Sequence, residues 1–465
     1  MVRRERTVAL ATLALLQVFV GASGAYVLRE GGRDTRAVER TVATPPPSPA
    51  PVPIVTSGPV LASAADGSLP GKGTLAARLS GALKDRALGR NVAAVVVDVA
   101  GRDTLYSSRS GAGLTPASTT KIVTAVAALS ALGPDARVAT RVVRPKKGSV
   151  TLVGGGDPTL AGPAAGTPGY PRPATLATLA ARTAKALKAA GTTSVRLAYD
   201  DSLFTGPRTA PGWKPGYVPE GSVAPVSALM IDEGRENPRG DARYADPPRS
   251  AAEAFASLLG RYKIKVDGPV RRAKAAPSAA EVARVESPPV YELVEHMLTA
   301  SDNDLAEALV HLVAIKEGRE GSFAGAAGAV RDLMKRLGVA GVSVHDGSGL
   351  STRNRITPAA LVRLVALSAS PAHPRLRAVI SGLPVAGFTG TLGKRYAKDD
   401  TRPGAGMVRA KTGTLNGVNT LAGLARTTDG RLVAFAFMAD DVADPDGAEA
   451  ALDRLAAIVS RCGCS

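Results

Sequence analysis

The chain is poor in the side chains that most often announce a site. Aromatic residues make up 4% of its 465 positions, and Trp213 is the single tryptophan. The four histidines, His296, His311, His345 and His373, fall at no metal-ligand spacing, so no metal centre is expected. Two cysteines, Cys462 and Cys464, stand at the extreme C-terminus. They exclude a disulfide framework and read as a strained Cys-Gly-Cys bridge or two free thiols, with no catalytic role. Acidic residues are also short: 40 Asp and Glu against 58 Lys and Arg leave a formal charge of +18. The basic residues are scattered, with no aromatic platform and no zinc-finger spacing, so nucleic acid is not expected as a partner. A basic exterior suits an anionic wall or membrane surface instead.

Several standard catalytic signatures are absent too. There is no G-x-S-x-G elbow, no G-x-x-x-x-G-K-[ST] loop and no H-E-x-x-H helix. Gly154-Gly155-Gly156 does not continue into a dinucleotide fingerprint and reads as a tight turn. No organic cofactor is expected.

What is present begins with the N-terminus. Arg3, Arg4 and Arg6 precede an uncharged, largely apolar run over residues 7–28. This is a signal peptide or an anchoring helix, and either exports the remainder. Membrane contact is expected only through this segment. Residues 29–72 include "ATPPPSPAPVPIVTSGP", a semi-rigid polyproline spacer. With so few aromatics, the core beyond it must be built from Ala, Val and Leu.

Apolar periodicity predicts a helix from about residue 73. A strand, a Gly-Arg-Asp turn and a second strand follow within "NVAAVVVDVAGRDTLYSS". At the far end, "GMVRAKTGTLNGVNTLAGLARTTDGRLVAFAFMAD" predicts three strands with a hairpin at Asp429-Gly430, and "DGAEAALDRLAAIVS" predicts a closing amphipathic helix. Strands at both ends and helices between them suggest one α/β sheet joined by its termini. Residues 151–290 mix helix and strand and read as an inserted α/β unit. The expected division is therefore a first catalytic part over 73–150, the insertion over 151–290 and a second catalytic part over 291–465.

Three short motifs carry the chemistry. "PASTTKIVTAVAAL" puts Ser118 and Lys121 three residues apart at the start of an apolar helix. That spacing places both on one face, near free backbone N–H groups. A Ser hydroxyl needs a base, and a buried Lys with a lowered pKa can be one. Alone, S-x-x-K matches cheaply, and a Ser at a helix start is usually a cap. Ser301-Asp302-Asn303 and Lys411-Thr412-Gly413-Thr414 follow in order, the first at a helix start and the second on a hairpin strand. The order S-x-x-K, S-x-N, K-T-G is the signature of penicillin-recognising serine enzymes.

With "GGGDPTL" (154–160), "DDSLF" (200–204), "VSAL" (226–229) and "DGSGLSTRN" (346–354), the chain resembles the low-molecular-mass class C penicillin-binding proteins, the D-alanyl-D-alanine carboxypeptidase/endopeptidase family. The resemblance runs from about residue 75 to the last helix. It implies a serine β-lactamase/penicillin-binding transpeptidase-like α/β fold, its sheet flanked by helices, plus an inserted α/β domain. The further domain of larger members is expected to be reduced or absent. It also implies an exported enzyme acting on peptidoglycan stem peptides, with β-lactams as covalent inhibitors. Ser118 would be the nucleophile, Lys121 its base and Ser301 the proton relay. Asn303, Lys411, Thr412, Gly413 and Thr414 would bind substrate, with Gly413 leaving room for its backbone. The N–H groups of Ser118 and Thr414 would form the oxyanion hole. Ser348, Gly349 and Leu350 would line a side-chain pocket. Thr352 stands where the family often has Arg, and Arg353 follows. The alternatives are a β-lactamase, which needs a dedicated deacylating group, and a silent wall-binding protein, which should show a broken motif.

Overall fold

The computed structural model describes residues 68–69, 71–164 and 169–463. The expected export segment, nearly all of the Pro-rich spacer and Cys464 lie outside the described residues. No helix among the described residues is long and apolar enough to cross a membrane.

In chain order, helix α1 (Lys72–Ala82) precedes strands β1 (Asn91–Asp98) and β2 (Thr104–Ser108). A 3-10 turn (Ala117–Thr119) then leads into α2 (Thr120–Ala131). Next come β3 (Ala139–Arg144), β4 (Ser149–Val153), α3 (Leu176–Ala189), β5 (Ser194–Asp200), α4 (Pro247–Arg261), β6 (Lys265–Val266), β7 (Arg271–Arg272) and β8 (Ala280–Glu286). The helical run is α5 (Val290–Ala300), α6 (Asn303–Lys316) and α7 (Phe323–Arg336). The chain closes with β9 (Val342–Ser343), β10 (Arg355–Ile356), α8 (Pro358–Ala369), α9 (Arg377–Gly382), β11 (Val408–Leu415), β12 (Val418–Arg426), β13 (Leu432–Asp440) and α10 (Pro445–Ser460).

Two sheets organise these elements. The first is antiparallel, in the order β11-β12-β13-β1-β2, so the N-terminal strand pairs with the last one, Asn91 opposite Asp440. Its middle strands are buried on both faces, and their alternation sorts side chains by size. On β13, Val433, Phe435, Phe437 and Ala439 enter a core with α1 and α10. Ala434, Ala436 and Met438 face the other way, into a core with α2, α5, α6, α7 and α8. The bulkier residues thus fill the face that two helices cover, and the smaller ones let the larger helical layer sit close.

The second sheet is mixed, ordered β6-β5-β4-β3-β8 with β7 also on β5. β4 and β5 run parallel, while β3 pairs antiparallel with both β4 and β8. Helices α3 and α4 cover one face around Leu152, Leu179, Leu197 and Phe255. The expected helix-then-strand patterns appear here, with α3 ended by Gly191 at a left-handed φ of 65°. Strand β8 has no counterpart in the sequence reading.

Candidate active site

The 3-10 turn before α2 carries Ser118. It is entered through Ala117, whose φ of 47° is left-handed and unfavourable for a residue with a Cβ. The helical start expected around Ser118 is therefore split: regular α-helix begins at Thr120, and Ser118 projects from a separately held turn. Thr119 and Thr420 hold that turn by donating their hydroxyls to the Pro116 carbonyl, at 2.6 and 2.9 Å.

Lys121 follows in the first turn of α2 and is fully buried. Its Nζ meets three acceptors: Ser118 Oγ at 3.1 Å, Asn303 Oδ1 at 2.7 Å and the Ser348 carbonyl at 2.8 Å. Burial brings its pKa down to about 8, against the pull of Glu307, Asp302, Asp346 and Asp304. A lysine in that range holds a substantial neutral fraction near physiological pH, as a base requires.

Asp302 caps α6 by accepting the Leu305 N–H at 2.9 Å, which fixes Asn303 as the first helical residue. The Asn303 carboxamide is used at both ends, taking Lys121 on Oδ1 and donating Nδ2 to the Ser222 carbonyl at 2.8 Å. Ser301 sits just before, in the left-handed position that ends α5, half-buried. Its hydroxyl has no hydrogen-bond partner among the described residues.

On the sheet side, β11 forms the edge. Its outer side pairs with the segment before it at Val408 and Ala410 (Ala386 N–H to Val408 O, Ala410 N–H to Pro384 O, both 3.0 Å). The alternation of an antiparallel ladder then turns the backbone groups of Thr412 and Thr414 outward, beyond that pairing. Lys411 points inward, fully buried, and donates to the Thr412 carbonyl at 2.9 Å. Burial, with Lys121 and Arg395 nearby, pushes its pKa well down.

Two glycines are dictated by the turn that carries Ser118. A Cβ on Gly413 would stand 2.2 Å from Thr420 Oγ1 and 2.8 Å from the Pro116 carbonyl. Its bareness therefore makes room for the turn that carries Ser118. Gly349 has φ +90°, and a Cβ there would stand 1.9 Å from the Ala117 carbonyl.

The segment expected to line a side-chain pocket is likewise placed differently. Ser348 and Gly349 are buried beneath the turn, where Ser348 lends its carbonyl to Lys121. Leu350 is 7% exposed and packs with Tyr217 and Val223. Asp346 ties this loop together, accepting from the N–H groups of Gly349 (3.0 Å) and Ser351 (2.6 Å), Asn354 Nδ2 (2.6 Å) and Trp213 Nε1 (2.8 Å). Thr352 and Arg353 are exposed beside Gly212.

The structure also gathers residues that no local pattern marked. Glu307, on α6, is fully buried and grips the loop from below. Behind Ser301 lies a cavity of about 390 Å³, lined by Ser222, Glu233, Arg243 and His296 among others. There one ligand atom each of Glu233, His296 and Asp302 lies within 4.8 Å of the others. Burial and Asp302 push Glu233 up to about 7, while Arg235 at 3.1 Å pulls the other way.

An antiparallel sheet clasped between two helical layers, with Ser, Lys, Asn and a second Lys meeting at its edge, defines the penicillin-binding and β-lactamase-like serine enzymes. The chain belongs to one branch of them, the D-Ala-D-Ala carboxypeptidase 3 (S13) family of serine peptidases, whose model matches residues 75–242 and 241–459. It is 35% identical to Carboxypeptidase DacB of Mycolicibacterium smegmatis, over 98% of this chain and 97% of that one. It is 37% identical to a carboxypeptidase of Mycobacterium tuberculosis, over 90% of each. The fold matches penicillin binding protein 4 of Haemophilus influenzae with a TM-score of 0.68 at 22% identity, covering 81% of this chain and 97% of that chain.

Proposed function

We propose that this enzyme acts outside the cytoplasm on peptidoglycan stem peptides, cleaving the bond between two terminal D-alanines through an acyl-enzyme on Ser118. The observation that carries the reading is the Lys121 amine, stripped of water and 3.1 Å from Ser118 Oγ. In its neutral form Lys121 takes the Ser118 proton as Oγ attacks the carbonyl carbon. The oxyanion develops between the N–H groups of Ser118 and Thr414. Ser301, whose hydroxyl is free to turn, gives its proton to the departing D-Ala amine and regains one from Lys121, which returns to the neutral form. Water, activated by the same Lys121, then attacks the ester and releases the shortened peptide and Ser118.

Substrate lies along the open edge of β11 as an added strand, held by the outward groups of Thr412 and Thr414. Its terminal carboxylate meets Lys411 and the hydroxyls of Thr412 and Thr414. A carboxylate there restores the charge that burial takes from Lys411, so anionic termini are selected over amides. Asn303 keeps one N–H for the peptide while its oxygen holds Lys121. β-Lactams acylate Ser118 in the same way. The family model and the two mycobacterial carboxypeptidases support the activity. Cross-link cleavage uses the same acyl-enzyme with a different leaving amine, so we include endopeptidase action.

The test is mass spectrometry of purified muropeptides after digestion. Loss of one terminal D-Ala from pentapeptides is expected, with conversion of cross-linked dimers to monomers as the endopeptidase readout. Unchanged muropeptides together with rapid penicillin turnover would identify a β-lactamase instead.

A further inference from the structure

Glu307 is a fully buried carboxyl in the site that the reaction does not use. It lies one helical turn after Asn303, so both side chains leave α6 on the same face. Its Oε1 accepts the Ser348 N–H at 2.8 Å and its Oε2 accepts the Gly347 N–H at 3.0 Å. Ser348 in turn offers its carbonyl to Lys121 Nζ at 2.8 Å, and Thr124, one turn along α2, donates to the Gly347 carbonyl at 2.6 Å. Residues 347 and 348 are thus clamped between a carboxyl on α6 and two side chains on α2. Asn303 holds the Lys121 amine directly, while Glu307 holds it through one intervening residue.

We propose that Glu307 is a positioning residue for acyl transfer, fixing through Gly347 and Ser348 the carbonyl that aims the Lys121 amine at Ser118, and that its charge governs how readily this amine gives up a proton. The proposal rests on Lys121 being the base.

The burial is deep enough for the charge to matter. Glu307 and Lys121 are both wholly inaccessible, and a carboxyl in such a place is held up by desolvation unless donors compensate. Burial and the neighbouring Asp346 raise it to about 8, offset by its bonds to Ser348 and Gly347. Lys121 is brought down to the same range, with Glu307 the foremost acidic group acting on it. The two groups are joined through the single residue Ser348, so the ionisation of the carboxyl bears on how readily the Lys121 amine is freed of its proton. The other charged groups around the pair are Asp302 and Asp304 at the start of α6, Asp346 on the loop and Lys411 on β11. His311, one turn beyond Glu307, has its Nδ1 2.7 Å from the Glu307 carbonyl and is pushed down to about 4 by burial, so it stays neutral.

The experiment measures acylation by a chromogenic cephalosporin against pH for the full chain and two variants. Glu307→Gln removes the charge and keeps the size. The acid limb of its profile should move to lower pH by roughly half a unit, because the carboxyl, only part-ionised at the midpoint, no longer favours the Lys121 proton. Its plateau should fall at least about tenfold, because one of the two N–H bonds is lost and the amine is misaimed. Glu307→Asp keeps the charge but shortens the reach, so its limb should stay in place while the plateau falls.

A purely structural role would lower both plateaus and move neither limb, which would overturn the charge half of the proposal. Glu307→Gln acylating like wild type at every pH would overturn all of it. If that variant fails to fold, Glu307→Asp with an unchanged plateau overturns the positioning role. Lys121→Met, run alongside, separates the two readings. If it acylates like wild type, the base assignment fails and the proposal falls with it. If it is inactive, the Glu307 result stands on its own.

Discussion

The two sheets solve the same packing problem with different tolerances for buried lysine. Around the mixed sheet, apolar side chains such as Leu152, Leu197 and Phe255 make the core, and Lys and Arg are turned outward, as at Arg196 and Arg271. Beside the antiparallel sheet, Lys121, Lys411 and Glu307 are completely enclosed and Asp346 nearly so, at 2% exposure. The first arrangement maximises burial of apolar surface. The second accepts desolvated charge that well-packed hydrophobic residues would replace at no loss of stability, or with a gain. Groups kept at that expense are those whose protonation and aim the chemistry uses. Stability and activity should therefore separate between the two regions.

The sharpest way to break this comparison is Lys121→Met. Acylation by penicillin should fall at least about a thousandfold, since the base is removed. The chain should still fold, with a melting temperature lower by several degrees at most, because the Asn303 oxygen and the Ser348 carbonyl lose the donor they share. A variant that loses activity only because it unfolds would erase the contrast. The converse is Leu197→Ala on β5, where a side chain 3% exposed leaves a void in the mixed sheet's core. Denaturant melts should show a loss of about 2–5 kcal/mol. Acylation per folded molecule should stay within about twofold of wild type.

Acidity probes the same difference without mutation. Lys121 must be neutral to accept a proton, and its pKa stands at about 8. The acylation rate should rise about tenfold per pH unit below that value and level off above it. A flat profile between pH 6 and 9 would mean that no such group limits the step. The smallest contrast concerns two glycines of similar φ. Gly417, in the hairpin between β11 and β12, has φ +81° and open space around it, so Gly417→Ala should cost only about 1 kcal/mol by thermal melt. Gly349→Ala adds a collision with the Ala117 carbonyl to the same strain and should also reduce acylation.

Much of this was legible in the residues themselves. The N- and C-terminal strands, the hairpin at Asp429-Gly430 and the closing helix follow from apolar periodicity and turn chemistry, which are local. The three motifs were readable because each binds its residues within four positions, on one helix face or along one strand. What escaped depends on contacts across the chain. Glu307 is a single carboxylate in an apolar helix, and nothing nearby in sequence says that it grips Gly347 and Ser348. Ser348 and Gly349 looked like cleft residues, but their neighbours are Lys121 and Ala117, more than two hundred positions away. His296 showed no ligand spacing because its companions, Glu233 and Asp302, come from a distant loop and a helix cap. The left-handed turn at Ala117 had no signal either, since alanine seldom adopts it.

Where the acyl group goes decides whether Ser118 is the nucleophile. Digestion and mass spectrometry of the protein after brief exposure to penicillin locates it directly. One adduct per chain is expected, on the peptide containing Ser118, and absent from Ser118→Ala with its fold intact. An adduct on another residue, or undiminished labelling of Ser118→Ala, would contradict that assignment.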